Sequence, residues 1–135
     1  MKLEMSTEVN WEGKKAAADV LEATRLAMRD TVVAIHGSAL DNAIAKGIWL
    51  TGNNNRRLTG EVSGMGMVAS GGEGEPLRMV DDGALEGAVF STSGYGGYLE
   101  VGTTRGLGPR PYIYPAMTKH FTSDRMAELI RRHLK

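Results

Sequence analysis

Between Glu12 and Lys46, apolar and small residues return every three or four positions, and this repeat constrains the fold more than any other feature of the chain. Val20, Thr24, Ala27, Thr31 and Ile35 make one such row. Leu21, Arg25, Met28, Val32, Ala39 and Ala43 make a second. Steps of three and four bring side chains onto one face of a helix. The segment is also rich in Ala, Leu, Met, Glu and Arg, which lose little rotamer freedom on a helix. Lys14, Asp19, Glu22, Arg29 and Asp41 fall mainly off the stripe. The spacing predicts a long amphipathic helix that must bury its apolar side against something else. Gly37 sits inside the pattern. It either kinks one long helix or ends a first helix before a second begins near Ser38. Residues 1–10 carry no period and read as a tail, or as a short edge strand through Val9 and Trp11.

After Gly47-Ile48-Trp49-Leu50 closes that helix, Thr51 to Arg57 is a polar loop of turn residues. From Glu61 the period changes to two. Val62, Gly64, Gly66 and Val68 alternate with Ser63, Met65, Met67 and Ala69, which predicts a strand with one face of small residues. Gly71 to Pro76 reads as a flexible turn. Leu77–Asp81 and Ala84–Ser91 alternate more clearly, and Asp82-Gly83 between them is a hairpin signal. Three or four antiparallel strands are expected. Thr104 to Pro109 reads as a loop. Pro115 suits the first position of a last helix, with Met117, Phe121, Leu129, Ile130 and Leu134 near one face. Ser123-Asp124 interrupts that helix and marks a restart. Arg131, Arg132 and His133 complement the negative pole at its end. The expected fold is α+β: a long N-terminal helix and a C-terminal helix packed on a small antiparallel β-sheet, in a single domain spanning 1–135.

A chain of 135 residues can bury a core without staples, and it has no Cys for a disulfide or a thiolate zinc site. No apolar run approaches the roughly 18 residues of a membrane span. Met1-Lys2-Leu3-Glu4-Met5-Ser6 lacks the apolar core of a signal peptide. Lys plus Arg and Asp plus Glu are both 16, so the chain lacks the basic excess of a free-standing nucleic-acid binder. Charge is nevertheless uneven. From Glu73 to Glu100 six acids (Glu73, Glu75, Asp81, Asp82, Glu86, Glu100) face Arg78 alone, net −5. From Lys119 to Lys135 five bases (Lys119, Arg125, Arg131, Arg132, Lys135) face Asp124 and Glu128, net +3. Two such regions suit pairing between copies, but on the residues alone two solvated faces is the plainer reading.

No constellation of chemical groups outweighs its structural explanation. His36, His120 and His133 are spaced unlike metal ligands and read as surface or capping residues. Asp81 and Asp82 would point to opposite faces of a strand and cannot clamp one ion. Gly64-Met65-Gly66 lacks the third glycine and the strand–helix context of a dinucleotide loop, and reads as a glycine-bearing strand. Gly52 to Gly60 lacks the Gly-Lys-Ser/Thr ending of a phosphate loop. Arg56 and Arg57, with Asn53, Asn54 and Asn55, are the best local candidates for nucleic-acid contact, though ordinary solubility chemistry is the plainer reading of two Arg residues in a polar loop. Glu100 between Leu99 and Val101 needs a hydrogen bond or an interface, because burying it bare is costly. Tyr95, Tyr98, Tyr112 and Tyr114 are either core or an aromatic partner surface. No catalytic, cofactor-binding or metal residue is expected.

Two stretches carry a resemblance. One is Tyr95-Gly96-Gly97-Tyr98-Leu99-Glu100-Val101-Gly102-Thr103; the other is Arg110-Pro111-Tyr112-Ile113-Tyr114-Pro115-Ala116. Together they resemble the signature of the neck and tail-completion (head–tail joining) proteins of long-tailed bacteriophages, in which Tyr-Ala-x-Tyr-Val-Glu-Phe-Gly-Thr precedes Arg-Pro-Phe-x-x-Pro-Ala. Gly96, Gly97 and Val101 depart from that pattern. A second family motif, Pro-Val-Asp-Thr-Gly-x-Leu, is matched in part by Thr59-Gly60-Glu61-Val62, with Thr51-Gly52 as a rival register. The resemblance implies a structural virion protein, not an enzyme, that forms a ring, hexameric or dodecameric, at the neck or proximal tail. It implies a short helical turn at 94–103 and a backbone-holding role for Glu100. The partners it implies are further copies of the chain, a head-completion or adaptor ring, a tail terminator or tail-tube protein, and genome double-stranded DNA passing through the channel. Assembly would take place in the host cytoplasm. Glu73, Glu75, Asp81, Asp82, Arg125, Arg131 and Arg132 are the expected subunit-interface residues, and Arg56 and Arg57 the expected channel contacts. A tail terminator is the neighbouring alternative, and a small nucleic-acid-binding regulator is the alternative from another class.

Overall fold

The computed structural model describes residues 11–45, 57–72, 79–91 and 112–134. Helix α1 (Trp11–Ala45) is followed by strands β1 (Leu58–Val62), β2 (Gly66–Ser70) and β3 (Gly87–Ser91), then helices α2 (Ile113–His120) and α3 (Ser123–His133). This is the expected α+β fold. The strands form one antiparallel sheet in the order β2-β1-β3, and α1 lies on it. Helices α2 and α3 pack along α1.

Helix α1 is unbroken for 35 residues, about 52 Å at 1.5 Å per residue. It continues without a break through Gly37, which is exposed and has open space where a side chain would stand. Its buried face is Ala23, Ala27, Thr31, Val32, Ile35, His36, Ala39 and Ala43. Four of these are alanines, so neighbours approach the backbone closely. Val20 and Leu21, which belong to the same apolar rows, are exposed, as is every residue from Lys15 to Glu22. The stripe extends further than the core it serves. Trp11 is helical rather than part of an edge strand; residues 1–10 lie outside the described residues.

Glycine sets how close α1 comes to the sheet. A Cβ on Gly60 of β1 would stand 2.6 Å from Val32 Cγ1, and one on Gly87 of β3 would stand 2.7 Å from Val32 Cγ2 and 2.9 Å from Met28 Sδ. Alternation puts Leu58, Gly60 and Val62 on this helix-facing side of β1, and Thr59 and Glu61 on the other. All five β1 residues are buried. The main core cluster joins Leu58 to Ile35, Ala39 and Ala43 of α1, to Tyr112, and to Ala116 of α2.

Three local expectations are corrected. The single strand expected from Glu61 to Ala69 is a hairpin. The chain reverses at Ser63–Met65, closed by Met65 N–H donating to the Val62 carbonyl at 3.0 Å. Gly64 and Gly66 take φ of 75° and 71°, a region other residues enter at a cost. Their small size suggests a flat strand face, whereas their backbone freedom is what the turn uses. Among the described residues the strand pair expected from Leu77–Asp81 and Ala84–Ser91 is not seen either. Met79–Asp81 is not a strand, β3 starts only at Gly87, and its partner is β1. Finally, the helix expected to open at Pro115 opens at Ile113. Pro115 is still within the first turn, where an amide has no intrahelical acceptor to lose. The break at Ser123 is as expected: Thr122 caps α3, its hydroxyl accepting from Arg125 N–H at 3.2 Å.

Candidate assembly surface

The segment 81–86 is a compact acidic turn anchored on one buried serine. Asp81 Oδ1 accepts from Gly83 N–H at 2.8 Å, and the Asp81 carbonyl accepts from Ala84 N–H at 3.1 Å. Ser63, fully buried, accepts from Glu86 N–H at 2.9 Å and donates to the Asp81 carbonyl at 2.8 Å, while its own N–H reaches the Glu86 carbonyl at 2.9 Å. Asp82 Oδ1 accepts from Gly64 N–H at 3.0 Å, and Glu86 Oε2 from Asp81 N–H at 3.0 Å. These bonds replace the cross-strand ladder that a hairpin would have had. They leave Asp81, Asp82 and Glu86 exposed on one hydrogen-bonded loop.

Beside this turn lies an apolar groove of about 340 Å³ between α1, the acidic turn with β3, and α2. Met28 and Val32 form its α1 side, Met79 and Leu85 flank the turn, and Met117 and Phe121 form the α2 side. Met79 is 59% exposed and Phe121 53%. Large apolar side chains this open, gathered on one groove, are a surface for something to cover.

The basic region lies on α3, where Arg125, Arg131 and Arg132 are exposed. Arg125 and Arg132 pair with Glu128 of their own helix at 3.6 and 3.0 Å. Leu129 buries α3 against its neighbours, and His133 Nε2 donates to Asp30 Oδ2 of α1 at 2.6 Å. Burial pushes the Asp30 carboxyl upward, but the hydrogen bonds and charges of His133 and Arg29 outweigh it and hold the group below its ordinary value. His120, at the end of α2, shares a 2.5 Å hydrogen bond with Ser38. Its pKa is lowered by burial and by the nearby charges of Lys119 and Arg125.

The three histidines are thus tied into the fold rather than free on the surface. His36 is buried, and the Leu58 carbonyl that it meets at 2.9 Å also accepts from Gly71 N–H. A carbonyl only accepts, so His36 carries its proton on Nε2. Among the described residues no group of three or more His, Asp or Glu could hold a metal ion. No helix among them is long and apolar enough to cross a membrane.

Of the residues singled out in the sequence, Tyr112 is fully buried, and its carbonyl accepts from Asn42 Nδ2 at 3.1 Å. Pro115 is half-buried on α2, and Tyr114 is exposed. Arg57 is half-buried just before β1. Tyr95, Tyr98, Glu100, Gly102, Thr103, Arg110, Pro111, Glu73, Glu75 and Arg56 lie outside the described residues. Two residues that matter do not stand out in the sequence: Ser63, which holds the acidic turn, and Glu61. Glu61 is fully buried on the central strand, with Oε2 accepting from Met79 N–H at 3.1 Å and Oε1 without a partner. A glutamate inside the short run from Leu58 to Val62 was the available signal.

No family model, no curated protein and no solved structure matches the chain.

Proposed function

We propose that this chain is a structural virion protein, a connector subunit that forms a ring at the neck or tail-completion position of a long-tailed phage or prophage. It joins head to tail around the DNA channel, and its work is assembly rather than turnover. The reading rests on the resemblance carried by Tyr95–Thr103 and Arg110–Ala116. The observation that favours it over a reaction centre is the placement of the second motif's described part. Tyr112 and Ala116 lie in the core cluster with Leu58, and Asn42 of α1 holds the Tyr112 backbone. Side chains spent on packing α2 against α1 and the sheet are scaffolding.

A ring needs a heterologous contact, in which one patch meets a different patch on the next copy. The exposed acidic turn and the exposed bases of α3 supply two patches of opposite sign. The test is native mass and negative-stain imaging of the purified chain, alone and mixed with the head-completion and tail-tube proteins of its own phage. Rings, or binding to one of those proteins, are expected. A chain that stays monomeric at high concentration and binds none of them sinks the reading.

A further inference from the structure

Resting on the ring reading, we propose that the C-terminal end of α3 from one copy docks in the apolar groove of the next. Leu134 is the anchor, and Arg131 and Arg132 lie over the acidic turn. The groove specifies its occupant by chemistry. Its walls are apolar and carry Met28, Met79 and Met117, whose unbranched side chains adapt to an inserted group. Glu86 lines the groove, and Asp81 and Asp82 are exposed on the same turn. An occupant must therefore bring a single apolar anchor flanked by cations.

The end of α3 has that composition. Leu134 is 38% exposed and stands three residues after Arg131, which has no ion-pair partner among the described residues. Its N–H donates to the Ile130 carbonyl at 3.0 Å, so the anchor is held by the last helical turn. Pre-organisation of this kind lowers the ordering cost of binding. The His133–Asp30 bond pins the same turn to its own α1, so it is presented to a neighbour instead of swinging into its own groove. Each copy then offers one end and one groove, a head-to-tail arrangement that closes into a ring when the rotation permits.

The absence of Cys makes the test specific. Leu134→Cys and Leu85→Cys chains, mixed and mildly oxidised, are expected to give disulfide-linked dimers several-fold above a Leu134→Cys and Ile44→Cys control mixture. The chain carrying both Leu134→Cys and Leu85→Cys should give a ladder ending at the copy number of the ring. Separately, Leu134→Asp should weaken self-association about tenfold or more, from the loss of one leucine's burial, while circular dichroism shows the fold retained. If the wild type forms rings but the Leu134–Leu85 pair does no better than the control, or Leu134→Asp leaves the rings unchanged, this docking is wrong and the ring reading survives. A partner protein covering the groove, with Leu134 free, likewise overturns the docking alone. A wild type that never self-associates overturns both.

Discussion

Val32 packs where the helix comes close to the sheet, and glycine makes that approach possible. Its two methyl groups fill the places where side chains on Gly60 and Gly87 would stand. Gly60→Ala should destabilise the fold by about 1–3 kcal/mol, the range for overpacking a tight core. In urea unfolding, Val32→Ala in the same chain should recover part of that loss, and additive effects of the two changes would show that they do not touch. His120 sets a second expectation. Its folded pKa lies below the ordinary value of 6.5, so the unfolded chain takes up the proton first. Its contribution is therefore complete above about pH 6.5 and is lost as pH falls through that value toward the lower folded pKa. Stability should decline from pH 7.5 to 5.5, and His120→Gln should flatten that part of the profile. An unchanged slope would show that burial and the charges of Lys119 and Arg125 do not govern this ring.

At the scale of elements, the helices were legible and the strands only partly so. The three-and-four repeat marked α1 because a helix face is written by residues close in sequence. Gly37 left its continuity open, and the structure resolves it simply. The position faces solvent, so only intrinsic propensity is at stake. Gly37→Ala should stabilise the protein by up to about 1 kcal/mol, read as a rise in urea midpoint. A fall would mean that the position needs its glycine. The strands misled because Gly64 and Gly66 look alike as small strand residues and as turn residues, and only the pairing of β1 with β2 separates the two. The acidic turn depends on Ser63, 18 positions before Asp81. Ser63→Ala removes a donor and an acceptor from a buried site and should cost about 1–3 kcal/mol. The amides of Gly83, Ala84 and Glu86 should then exchange faster. Unchanged exchange would free the turn from Ser63.

For the whole molecule, zero net charge conceals an acidic turn on one surface and a basic helix on another. If those surfaces meet between copies, Arg131→Glu with Arg132→Glu should weaken ring formation. The wild-type ring should also loosen as salt rises, because exposed charge pairs are screened within about 10 Å at 0.1 M salt. Sedimentation across a salt series measures both, and assembly indifferent to salt removes charge pairing as the force that joins copies. Taken alone, the amino-acid order determined the long α1, the restart at Ser123 and the α+β class, all set by neighbours within a few residues. It also set the sign of each charged region. Only tertiary structure decided that β1 lies at the centre of the sheet, that Glu61 is buried, that Asp81–Glu86 is a turn rather than a hairpin, and that His133 ties α3 to Asp30. The last three depend on partners 18 to 103 positions apart, and the central place of β1 on its pairing with β3, 25 to 33 positions away; such partners become neighbours only once the chain has packed.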